Sequence, residues 1–162
     1  MDKKIFLSHF KASAKDWQDW RWQFKNRVTK MDKLQSLFGK EAVQNNLFPD
    51  VTAIYPLAVT PYYLSLMQSG ERNDPIRLQC VPDVREISFS DGAPEDPLDE
   101  GSHMPVPRLV RRYPDGCLAI VTEICATYCR HCNRKRFWSQ PAPLSLKTRI
   151  RKMIDYVSED PQ

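Results

Sequence analysis

The sequence predicts an α/β protein, with a helical N-terminal region leading into the first βα unit of a partial, truncated (β/α) barrel. Three observations predict it. Apolar residues recur at helical spacing after a capping signal at Ser13. The short apolar run Cys117-Leu118-Ala119-Ile120-Val121 reads as a strand buried on both faces. A second helical pattern comes after Ser145, with Leu146, Ile150, Met153, Ile154 and Val157 on one face. Between that strand and that helix lies a cysteine-rich loop. Barrels of this class carry their chemistry at the C-terminal ends of the strands, which is where this loop falls.

Ser13-Ala14-Lys15-Asp16 has capping-box form, with Asp in place of the usual Glu. Trp17, Trp20, Phe24, Val28 and Met31 then keep helical spacing, which predicts one amphipathic helix of about 17 residues with these side chains in the core. Trp22 lies off that stripe and marks a second contact surface. Shorter helices are expected near 33–38, 40–46, 50–57 and 61–68, punctuated by Pro49, Pro56 and Pro61. This gives a helical N-terminal region over 1–68. Residues 69–108 form an extended connector rich in Pro and Asp, with one short helix after Asp74. Residues 109–162 begin the barrel with strand, loop and helix. A single strand has no ladder partner, so this reading makes the chain part of a larger body.

Composition narrows the function. At 162 residues and 41% hydrophobic content the chain can build a core. No apolar run approaches the ~20 residues that span a bilayer, and the N-terminus lacks the apolar stretch of a signal peptide. A cytoplasmic, membrane-free protein is expected. The net charge of +4 conceals a segregation. Asp83, Glu86, Asp91, Glu95, Asp96, Asp99 and Glu100 make 83–100 acidic, and Arg130, Arg134, Lys135 and Arg136 make 130–136 basic. A basic cluster commonly marks nucleic acid. Here it adjoins cysteines, and bound small-molecule anions are the better expectation.

Five cysteines are an odd number, unlike a secreted disulfide framework. Cys80 and Cys117 stand apart and are expected to be buried as small hydrophobes. Cys125, Cys129 and Cys132 form CxxxCxxC. Three thiolates at that spacing can hold three irons of a cubic 4Fe-4S cluster and leave the fourth iron open for a small molecule. Neither a regular helix nor a strand converges these three positions on one cube, so an irregular loop is expected. A small zinc module is the alternative, with His131 as fourth ligand. His131 is adjacent to Cys132, and neighbouring side chains rarely reach one tetrahedral ion.

The residues around the motif carry a resemblance. Arg111-Arg112-Tyr113-Pro114-Asp115 lies upstream, and Tyr128-Cys129-Arg130-His131-Cys132-Asn133-Arg134-Lys135-Arg136-Phe137 spans the last two cysteines. Earlier come Trp17-Gln18-Asp19-Trp20-Arg21-Trp22-Gln23, Asn26-Arg27, Thr60-Pro61-Tyr62-Tyr63-Leu64-Ser65-Leu66 and Asn73-Asp74-Pro75. In this order they resemble the lysine 2,3-aminomutase family of the radical S-adenosylmethionine (radical SAM) superfamily, in its N-terminal portion. The resemblance implies that the C-terminal part of the chain starts a radical SAM barrel.

It further implies a radical SAM amino-acid 2,3-aminomutase that moves an amino group from C2 to C3 with a 4Fe-4S cluster, SAM and pyridoxal 5′-phosphate (PLP). Cys125, Cys129 and Cys132 would ligate the cluster. His131 would lie against the SAM adenine, with Tyr128 beside it. Arg134 would hold the carboxylate of an amino-acid substrate. Arg112 and Tyr113 would line the PLP pocket, although Gly116 stands where the family often has a basic residue. A reductant such as flavodoxin or ferredoxin would supply electrons. Neither a lysine assignable to PLP nor the Gly-Gly strand end that supports SAM is found in the chain. An inactive or partner-dependent cluster-binding fragment is therefore the competing reading, with a second copy or a complementary C-terminal piece as partner. Selection between lysine, glutamate and other amino acids is not legible in these residues.

Overall fold

The computed structural model describes residues 3–39, 48–68, 70–88, 92, 94–140 and 142–159. Contacts divide the chain into two compact units, Met1–Asp91 with Cys125–Lys135, and Gly92–Ile124 with Arg136–Gln162. The cysteine loop thus packs with the helices, although it comes after the strands in sequence.

The first unit begins with α1 (Lys3–His9), α2 (Ala14–Gln18), α3 (Trp20–Lys25) and α4 (Met31–Phe38). The capping box at Ser13 is present, with Asp16 N–H donating to Ser13 Oγ at 3.1 Å and Ser13 N–H to Asp16 Oδ2 at 2.8 Å. The single helix expected beyond it is broken in two. Asp19 is extended, with φ −84° and ψ 115°, and its carboxylate accepts the Arg21 N–H at 2.9 Å, which starts a new helix. The break shifts the phase of the stripe. Trp17 stays in the core at 7% exposure, while Trp20, expected beside it, is 66% exposed. Trp22 instead packs against the core. The side chain of buried Gln23 makes good the broken ladder. Its amide donates to the Trp17 carbonyl at 2.9 Å, and its oxygen accepts the Tyr62 N–H at 2.9 Å.

Further on come α5 (Phe48–Ile54), α6 (Pro61–Ser65), α7 (Pro75–Cys80) and α8 (Arg85–Ser88). The helix expected at 40–46 lies outside the described residues. Thr60 and Asp74 cap α6 and α7, each with a proline next to it at the first helical position, where the missing N–H costs nothing. Among its described residues the connector holds two short α-helices, α7 and α8, and a 3-10 turn at Gly101–His103, where one helix was expected. Val28 and Val59 exchange backbone hydrogen bonds at 2.7 and 3.1 Å, tying the end of the α3 segment to the strand-like stretch before α6. Phe6, Trp17, Val28, Leu34, Val59, Leu64 and Cys80 share the core of this unit.

The second unit contains β1 (Leu109–Tyr113), β2 (Gly116–Ala119) and α9 (Leu146–Glu159). The strands form a two-stranded antiparallel hairpin with Leu109 opposite Ala119 and Tyr113 opposite Gly116. The expected first βα barrel unit is not seen among the described residues, where the strand pairs antiparallel with β1. The apolar run at 117–121 is neither parallel nor doubly buried, and all of β2, Cys117 included, is exposed. Pro114 and Asp115 are the cause. Pro-Asp-Gly is a turn signal, and the turn returns the chain alongside β1, so the ladder partner comes from just upstream. The helix after Ser145 forms as expected, its Thr148 N–H held by Ser145 Oγ at 3.2 Å. Of its apolar face only Met153 is buried, with Ile150 half-buried. Glu123 accepts from Arg108 at 2.9 Å and Arg149 at 2.7 Å. Burial pushes its carboxyl upward, but the two arginines hold it below its ordinary value. The class is thus mixed helix and strand. No helix among the described residues is long and apolar enough to cross a membrane.

Gln23→Leu tests the repair of the broken helix. It leaves the Trp17 carbonyl and the Tyr62 N–H unpaired, and a urea titration is expected to show a loss of about 1–3 kcal/mol.

Candidate functional site

The segment from Ile120 to Arg134 has no regular helix or strand. Its shape is set by what holds it. Within the first unit the Tyr128 N–H donates to the Ala58 carbonyl at 2.8 Å, and the Arg130 N–H to the Gln79 carbonyl at 2.7 Å. Arg27 donates from its guanidinium to the Cys125 carbonyl. The loop then turns on itself, with the Cys132 N–H on the Cys129 carbonyl at 2.9 Å and the Lys135 N–H on the Cys132 carbonyl at 3.2 Å.

Arg130, between two of the cysteines, is the deepest anchor. It is 6% exposed, and its guanidinium donates to both Glu86 oxygens at 2.9 Å and to the carbonyls of Pro56 and Tyr55 at 3.1 Å each. Lys135 adds a second cation 3.7 Å from Glu86 and 4.0 Å over the Tyr55 ring. In the second unit Arg136 donates to Glu100 at 3.2 Å and lies 3.0 Å from Asp96, there as a charge contact rather than an aligned hydrogen bond. The acidic and basic segments of the sequence are therefore complementary partners. Arg130, Lys135 and Arg136 thus face carboxylates of the chain itself. Arg134 is partly buried, and its backbone N–H points at Cys132 Sγ at 3.4 Å.

The three thiols lie within electrostatic reach of one another. Burial first, then repulsion from Cys132, pushes the Cys125 thiol above its ordinary value, against the pull of Arg27. Cys129 is raised by burial and then by Cys132 and Cys125. Thiolates that repel one another favour a shared cation. Among the described residues no three His, Cys, Asp or Glu side chains are placed to hold one metal ion. A cluster does not need them to meet at a point, because each thiolate takes a different iron. The donor set, the irregular loop and the N–H aimed at Cys132 fit an iron–sulfur cluster better than tetrahedral zinc. His131, next to buried Arg130, turns outward and is exposed, and Tyr128 is half-buried.

Cys80 is in the core, its thiol donating to the Ile76 carbonyl at 3.3 Å. Burial, then the negative charge of Cys129, pushes it up to about 12, so it stays a neutral thiol. Arg112 and Tyr113 belong to the second unit. Arg112 donates to the Leu98 carbonyl at 2.9 Å, and Tyr113 is 66% exposed. The residues that sequence reasoning missed are Arg27 and Glu86, and it read Arg130 only as one of a basic cluster serving bound anions. The opposed charge of 83–100 and 130–136 was the available signal, because two segments of opposite sign in one chain can neutralise each other.

No family model matches the chain. Curated relatives do. L-lysine 2,3-aminomutase of Clostridium subterminale is 39% identical over 151 residues, which is 93% of this chain and 36% of that protein. L-lysine 2,3-aminomutase of Bacillus subtilis is 37% identical over 146 residues, 90% of this chain and 31% of that protein. Glutamate 2,3-aminomutase of Clostridioides difficile is 34% identical over 159 residues, 98% of this chain and 37% of that protein. By sequence the chain matches the N-terminal part of the lysine 2,3-aminomutase family, and it spans about a third of the length of the relatives it matches.

Arg130→Met removes the main partner of Glu86, leaving Lys135 and the Asp83 N–H beside it, and urea unfolding is expected to show a loss of about 3 kcal/mol. The pair Arg130→Met with Glu86→Leu should recover part of that loss. A single variant as stable as the parent would mean that the ion pair is not a staple.

Proposed function

We propose that the chain is the cluster-bearing portion of a radical SAM amino-acid 2,3-aminomutase. The observation that carries this is the placement of Cys125, Cys129 and Cys132 on one irregular loop, pinned to a helical platform by buried Arg130. Its match to the N-terminal part of the aminomutase family supports the same reading. When bound, a three-cysteine 4Fe-4S cluster supplies an electron and an open iron to SAM.

The chain's own residues would divide the work. The three cysteines would take one iron each. The Arg134 N–H would donate to the Cys132 sulfur and steady its charge. His131, exposed beside the cysteines, would offer a flat ring to the adenine of SAM, with Tyr128 holding the loop at its back. Arg134 would grip the amino acid's carboxylate as a planar fork. Tyr55, Pro56 and Glu86 would keep the loop in one shape, so that orientation is set before anything binds. Arg112 and Tyr113 would line the pocket for PLP, with Gly116 standing where the family often has a basic residue.

The chain spans about a third of the length of these relatives, so the activity proposed is that of the whole protein. Both lysine and glutamate appear among the relatives' names, so the substrate class proposed is an α-amino acid.

Anaerobic reconstitution with iron and sulfide is expected to give a brown chain with about four irons and about four sulfides. Cys129→Ala should lose most of both. A colourless chain holding stoichiometric zinc would overturn the reading. With dithionite and SAM, release of 5′-deoxyadenosine separates an active chain from one that only binds the cluster.

A further inference from the structure

Arg27 is not a cysteine neighbour in sequence, yet its side chain reaches the loop. Three contacts hold it. Its Nε donates to the Phe24 carbonyl at 3.1 Å, its guanidinium carbon lies 4.1 Å over the Phe24 ring, and a guanidinium nitrogen donates to the Cys125 carbonyl. The guanidinium is thus oriented by its own helix end before it meets the loop. The next residue, Val28, is paired by two backbone hydrogen bonds with Val59. Ala58, the neighbour of Val59, accepts the Tyr128 N–H at 2.8 Å. Two anchors, one at Cys125 and one at Tyr128, therefore come from a single tied piece of backbone. Among the charges acting on the Cys125 thiol, Arg27 opposes Cys132.

We propose that Arg27 is a positioning residue for the cluster. It fixes the Cys125 end of the loop through that carbonyl, and it brings a positive charge to the edge of the site that favours the reduced cluster. The inference rests on the cluster reading above. A cation near an iron–sulfur centre stabilises the form with one more negative charge, which raises the reduction potential. A charge-assisted hydrogen bond to the backbone also removes motion at the ligand itself.

The test uses the whole chain with Arg27→Gln and Arg27→Lys. Hydrogen exchange of the Tyr128 amide, bonded to Ala58 and three residues beyond Cys125, reads in the metal-free chain whether the loop stays pinned once the Arg27 contact is lost. Arg27→Gln is expected to speed it about tenfold, and an unchanged rate overturns the anchoring role. An anaerobic redox titration monitored by electron paramagnetic resonance reads the charge. Arg27→Gln should move the midpoint to lower potential and Arg27→Lys should restore most of the shift, while equal midpoints in all three proteins overturn the electrostatic role. Should Arg27→Gln fail to fold by circular dichroism, Arg27→Lys still decides the anchor, since it lacks the planar fork and must show faster exchange. A parent chain that takes up no iron overturns the cluster reading alone, because the exchange measurement does not need the cluster.

Discussion

The buried guanidinium of Arg130 is the interaction on which the first unit depends. It sits between two cysteines and donates to Glu86 and to the carbonyls of Tyr55 and Pro56. A loop with no regular hydrogen bonding of its own must borrow partners, and a charged group taken out of water needs nearly all of its donors met. Arg130 satisfies both needs at once. It draws together the turn before α6, the start of α8 and the cysteine loop. These residues are far apart in sequence, so the shape of the loop depends on the assembled helices.

This placement has a chemical meaning. Cluster ligands must be presented together, and their mutual repulsion opposes that in the absence of metal. Burial and repulsion raise the thiols of Cys125 and Cys129. The helical platform holds them near one another regardless. Positioning comes from the backbone contacts of Tyr128 and Arg130 and from the reach of Arg27, whereas His131 and Arg134 sit on the same loop for ligand contact under the proposed function. The inward residues of the loop anchor it, while His131 is exposed.

Some of the architecture was legible in the chain. The capping box at Ser13, the caps at Asp74 and Ser145 and the irregular nature of the cysteine loop are local, and local rules found them. The stripe from Trp17 to Met31 was read as one helix because its period is unbroken. Asp19 interrupts it by capping a second helix that starts at Trp20, and periodicity alone does not reveal that. The strand at 117–121 was read from its apolar content, while the Pro-Asp-Gly turn before it determined its partner and its exposure. Cys117 failed as a core residue for the same reason.

The sequence by itself determined the donor set, its spacing and the family resemblance, because three cysteines in CxxxCxxC and their flanking motifs lie within a short stretch where order along the chain is order in space. Only the tertiary structure decided what holds that stretch. Arg27 and Glu86 reach the loop from 98 and 44 residues away. Their role depends on desolvation and close geometry, neither of which is a property of neighbouring letters. It also decided that the acidic and basic segments answer one another, since like and opposite charges acquire meaning only when folding sets the distance between them.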